Sequence, residues 1–113
     1  MKNAIISLFI VTMLFVSGCA TTTDEEKQDI SDASDYNAQL GLGYMNQGRN
    51  DVAMSKLKKS IEQDPDNGVA QHYIAELYRR LGEFDQAETH FKKALDLTPE
   101  NASLMNNYGV FLC

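Results

Sequence analysis

From about residue 36 onward, apolar residues return every three or four positions, interleaved with charged and amide side chains. That period predicts amphipathic helices and no strands. The first residues are a different material. Lys2 is followed by Ala4–Val16, a run of 13 residues broken only by Ser7 and Thr12. A helix crossing a bilayer needs roughly 20 apolar residues, so this run is short for a span and suits the apolar core of a secretory signal. Residues 20–35 then turn polar and acidic, with Asp24, Glu25, Glu26, Asp29, Asp32 and Asp35 against Lys27. This pattern predicts three parts: residues 1–18 as signal peptide, 19–35 as a solvated acidic tether, and 36–113 as the folded helices.

The helical part repeats. Residues 34–67 laid over 68–101 without a gap give eight identities in 34 positions. They pair Tyr44 with Tyr78, Gly48 with Gly82, Asp51 with Asp85, Ala53 with Ala87, Lys58 and Lys59 with Lys92 and Lys93, Pro65 with Pro99 and Asn67 with Asn101. This period and residue set resemble the tetratricopeptide repeat, which implies an all-α helical solenoid of two full repeats plus part of a third over 102–113. Packing explains the pattern. Small Gly41 and Ala75 let the second helix of each repeat approach, Ala53 and Ala87 answer from that helix, and Tyr44, Tyr78, Leu57 and Phe91 fill the space between. Gly48 and Gly82 suit a left-handed helix cap, Asp51 and Asp85 the positive end of the next helix, and Pro65 and Pro99 its stop. Ser60 stands where alanine is usual. The third unit reaches its twelfth position at Cys113 and reads as cut in mid-helix.

The apolar run ends in Val16-Ser17-Gly18-Cys19-Ala20, which resembles the lipobox of bacterial lipoproteins. The resemblance implies a diacylglyceryl thioether on Cys19, cleavage between Gly18 and Cys19, and acylation of the new amine. Several acyl chains satisfy the need for more than one to anchor stably. Ala20, where aspartate would signal inner-membrane retention, favours the outer membrane. Ordinary cleavage after Ala20 and an uncleaved anchor are the competing readings.

Composition removes other classes. A net charge of −6 offers nucleic acid no electrostatic footprint. Two cysteines cannot complete a four-ligand zinc site or a disulfide framework. His72 and His90 lack the neighbours of a catalytic constellation, and each conspicuous repeat residue has a packing role, so the chain is read as no enzyme, without cofactor, metal or small-molecule substrate. His72 and Glu76, four apart, have the spacing of half a metal site, but without a third ligand they read as a surface charged group with Arg79. Cys113 reads as a small core or groove residue.

Leu40-Gly41-Leu42-Gly43-Tyr44-Met45-Asn46-Gln47-Gly48 and Asn106-Asn107-Tyr108-Gly109-Val110-Phe111-Leu112-Cys113, joined to a lipobox and a short tether, resemble the PilF/PilW type IV pilus biogenesis lipoproteins. That resemblance implies a pilotin: a lipid-anchored, protein-binding adaptor on the periplasmic face of the outer membrane that helps localise and multimerise the pilus secretin. Another envelope scaffold, serving cell-wall hydrolases or outer-membrane assembly, is the alternative. In stacked helix pairs, positions 2, 5, 9 and 12 of the first helices line the concave face. Ala38, Leu42, Met45, His72, Glu76, Arg79, Asn106 and Val110 are therefore the expected partner groove, with Ala38, Leu42 and Met45 as its apolar strip. Cover of Leu42 and Met45 by the tether or a neighbouring repeat is the competing reading.

Overall fold

The computed structural model describes residues 22–113. Cys19, the cleavage point beside Gly18 and the rest of the expected signal segment lie outside the described residues. Five helices follow in order: α1 (Thr22–Asn46), α2 (Asn50–Gln63), α3 (Gly68–Arg80), α4 (Phe84–Leu97) and α5 (Ala102–Leu112). They pack as consecutive antiparallel pairs: α1 lies on α2 and α3, while α4 lies on α3 and α5. Two apolar centres result. Met45, Ala53, Leu57, Ile74 and Leu77 fill the first, and Ala75, Ala87, Phe91, Ala94 and Leu104 the second.

The punctuation is as the repeat dictates. Gly48 and Gly82 adopt φ of 73° and 77°, the left-handed region that other residues enter at a cost. A Cβ placed on Gly41 would lie 2.5 Å from Leu57 Cγ, so the side-chain-free surface of α1 is what lets α2 approach. Asn67 and Asn101 cap α3 and α5, their side-chain oxygens accepting from the backbone N–H of Ala70 and Leu104. The chain's own alignment pairs these two asparagines, and the cap is the physical reason for the pairing.

Residues 22–35, read from sequence as a solvated tether, are helical throughout the described part. They contain no glycine or proline, Glu25, Glu26, Lys27 and Gln28 are good helix formers, and Asp24 and Glu25 sit in the first turn, where the helix dipole favours acids. The last residues of the stretch belong to the core. Ser34 Oγ donates to the Ser60 carbonyl at 2.9 Å, and Ser60 Oγ returns a bond to the Ser34 carbonyl at 2.7 Å. Asn67 Nδ2 bonds both Ser34 Oγ and Asp35 Oδ1, at 2.9 and 2.7 Å. The serine at position 60 is thereby explained: it is half of a reciprocal pair that staples α1 to the end of α2.

Candidate functional site

The expected concave strip is only partly open. Ala38 is fully buried and Met45 is 2% exposed. Met45 packs in the α1–α2–α3 centre beside Ile74 and Leu77, so the neighbouring repeat covers it and neither residue can meet a partner without unpacking the solenoid. The correction has a simple cause. Positions 5 and 12 of a first helix turn toward the next first helix once that repeat is stacked on it, whereas position 9 stays at the edge. Leu42, at position 9, is half-buried. In α5, Asn106 and Val110 are exposed, and so is Cys113 after it.

His72 is also interior, 6% exposed, rather than part of a surface charged group. Asn107 Nδ2 donates to its Nε2 at 2.9 Å, a bond that ties α3 to α5 and requires the neutral imidazole. Burial pushes His72 below its ordinary value, and the Glu76 carboxylate opposes that push without reversing it. Glu76 instead holds two guanidiniums: Arg79 through Nε at 3.0 Å and Nη2 at 2.6 Å, and Arg80 at 3.4 Å. Burial raises the Glu76 carboxyl, yet these bonds and charges outweigh it and the group lies below its usual range. His90, stacked on Tyr78, donates from Nδ1 to Gln71 Oε1 at 2.7 Å, and burial lowers it too. Both imidazoles are thus structural joints between helices. Among the described residues, no group of three or more His, Cys, Asp or Glu comes together to hold a metal.

The open surface lies on the other side of α1. Tyr36, Gln39, Leu40, Gly43, Tyr44 and Gln47 line a mostly apolar cleft of about 290 Å³. Tyr36 is 66% exposed, and the Arg49 guanidinium sits over the Tyr44 ring at 4.8 Å. The repeat explains why this face is apolar. One period on, Tyr36, Leu40 and Gly43 become Ala70, Ile74 and Leu77, all 2% exposed or less because α1 and α2 cover them. Repeat one thus presents, uncovered, the surface that repeat two uses for stacking. Sequence reasoning missed it by following the concave register, although the 34-residue alignment already placed Leu40 on Ile74.

Paired helices with small contacts at Gly41, Ala75, Ala53 and Ala87 and glycine caps at a 34-residue spacing define a tetratricopeptide-repeat protein. The chain belongs to that family, whose pattern matches residues 44–107. Within it, the chain is similar to the type IV pilus assembly protein PilF of Pseudomonas aeruginosa. The two are 34% identical over 110 residues, which is 94% of this chain and 44% of the relative. The solved structure described as the functional characterisation of P. aeruginosa PilF superposes with a TM-score of 0.71 at 36% identity, over 74% of this chain and 38% of that one. PilW, described as a widely conserved type IV pilus biogenesis factor, superposes with a TM-score of 0.67 at 35% identity, over 71% of this chain and 36% of that one. The chain therefore spans less than half the length of these relatives.

Proposed function

We propose that this protein is a lipid-anchored, protein-binding adaptor of type IV pilus biogenesis that helps the pilus secretin reach and multimerise in the outer membrane. In this reading, cleavage after Gly18 and lipidation of Cys19 place it on the periplasmic face of that membrane, and the open cleft of α1 receives the partner. The observation that carries the reading is the similarity, at 34–36% identity, to two proteins named for type IV pilus assembly and biogenesis. The cleft supports it, since a repeat scaffold recognises proteins through helix faces and an uncovered apolar face suits a helical segment.

The test replaces the chromosomal copy with variants and follows secretin multimers in outer-membrane fractions. Tyr36→Asp with Leu40→Asp should abolish the multimers while far-UV circular dichroism of the purified variant stays unchanged. Cys19→Ser should leave the fold intact and remove both the acyl mass and outer-membrane fractionation. Normal multimers in a folded Tyr36/Leu40 variant would overturn the placement of the partner on α1. Normal multimers on complete loss of the protein would overturn the function.

A further inference from the structure

The cleft does not stop at Tyr36. Steps of three or four residues along α1 run Glu25, Asp29, Asp32, Tyr36, Leu40 and Gly43, which sets all six on one side of the helix, with Gln47 just past its end. The three acids are exposed, and among the described residues none of them forms an ion pair; Asp32 accepts only from Gln28 Nε2, at 2.8 Å. The opposite side carries Ser34, Ala38, Gly41 and Met45, which are buried. One continuous face, exposed at the acids and Tyr36 and half-exposed at Leu40 and Gly43, thus has an anionic half toward the N-terminus and an apolar half toward the C-terminus. At 1.5 Å per residue its helical part, Glu25 to Gly43, is roughly 27 Å long.

We propose that this face recognises an amphipathic α-helix of a partner protein, with aliphatic side chains for the Tyr36–Gln47 cleft and lysines or arginines for Glu25, Asp29 and Asp32. This rests on the reading above that the partner docks on α1, and adds the chemistry of the docked segment. The helical form is argued by the chain itself: the same register in α3 is filled by helices α1 and α2, with Met45 and Leu57 in the shared core and Met54 and Ile61 against it. The cationic half follows from charge complementarity. A second copy of this chain fits poorly. Parallel, its carboxylates would oppose these; antiparallel, they would lie on Tyr36 and Leu40, desolvated without a partner.

Two fluorescent helical peptides of about 20 residues serve as probes, with the full chain in detergent micelles. Both carry leucines spaced to meet the cleft; one carries lysines, the other glutamates, opposite the acidic half. Fluorescence anisotropy at low salt should show the lysine peptide binding roughly tenfold tighter, as several rim charges together allow. The difference should collapse near 1 M salt, where screening shortens to about 3 Å. Glu25→Gln, Asp29→Asn and Asp32→Asn together should erase the preference at any salt, and Tyr36→Asp with Leu40→Asp should abolish binding of both peptides.

Equal binding of the two peptides, sensitive to Leu40 and indifferent to the three acids, overturns the cationic partner and leaves the cleft reading standing. Binding of either peptide that ignores Tyr36 and Leu40 overturns the cleft reading itself. No binding of the lysine peptide, or a concentration-dependent dimer in sedimentation that Leu40→Asp dissolves, overturns the proposed occupant.

Discussion

Adding one methyl group at Gly41 and at Gly43, two residues apart in α1, should move stability in opposite directions. A Cβ at Gly41 would meet Leu57 Cγ at 2.5 Å and Cδ2 at 2.7 Å, while a Cβ at Gly43 meets nothing within 4 Å. Leu57 is fully buried and cannot swing into solvent. Forcing extra volume against it should cost about 1–3 kcal/mol. Alanine's advantage over glycine in a helix returns about 1 kcal/mol at either site. Gly41→Ala should therefore destabilise, by up to about 2 kcal/mol, and Gly43→Ala should stabilise by about 0.5–1 kcal/mol. Urea titrations followed at 222 nm, compared at a common m value, read the two midpoints. A double-mutant cycle isolates the cause: with Leu57→Ala the obstructing atoms are gone, so Gly41→Ala should become stabilising in that background. Equal midpoints for Gly41→Ala and Gly43→Ala, or no sign change beside Leu57→Ala, would refute close helix approach as the reason for the glycine.

Asn67→Ala should cost more than Asn101→Ala. Both lose an N-cap worth about 1 kcal/mol, but Asn67 also bonds Ser34 and Asp35 across the first repeat, so its loss should reach about 2–3 kcal/mol by chemical denaturation. His72 and His90 lie below their ordinary values, so the folded state disfavours their protonation. Their contribution is full above the unfolded value of about 6.5 and is lost progressively as pH falls toward the folded values. The urea midpoint should drop between pH 7 and 5, and His72→Gln with His90→Gln should flatten that drop; an unchanged slope would show that carboxylates alone carry it. Phe91→Ala, at the middle of an aromatic group with Tyr108 and Phe111, should cost about 3–5 kcal/mol and release α5 first, visible as early amide exchange over Ala102–Leu112.

What was legible in the sequence was whatever the repeat states twice. Gly48 and Gly82, Ala53 and Ala87, Leu57 and Phe91 each appear in two registers, and in the structure the glycines cap helices at positive φ while the other four are fully buried. What the repeat does not state is which neighbour packs on each face. Met45 carries a concave-face expectation, yet the following repeat's Ile74 and Leu77 pack on it and leave it 2% exposed. Tyr36 and Ala70 share a register, yet only Ala70 has a preceding repeat over it. Residues 22–33 are a different case. Their acidic composition predicts solvation, and the structure adds helix, which an exposed segment forms readily when no glycine or proline interrupts it.

The unbroken course of α1 has a mechanical consequence. Residues 22–33 lie ahead of the repeat as helix, a strut of roughly 18 Å at 1.5 Å per residue. A flexible leash of that length would let the solenoid tumble and offer its faces at every orientation. A strut that is the same helix as the cleft's floor fixes the bearing of the cleft relative to its own near end. Any force or tether applied at that end is then transmitted as torque to the docking face, and the protein behaves as a bracket with a set angle.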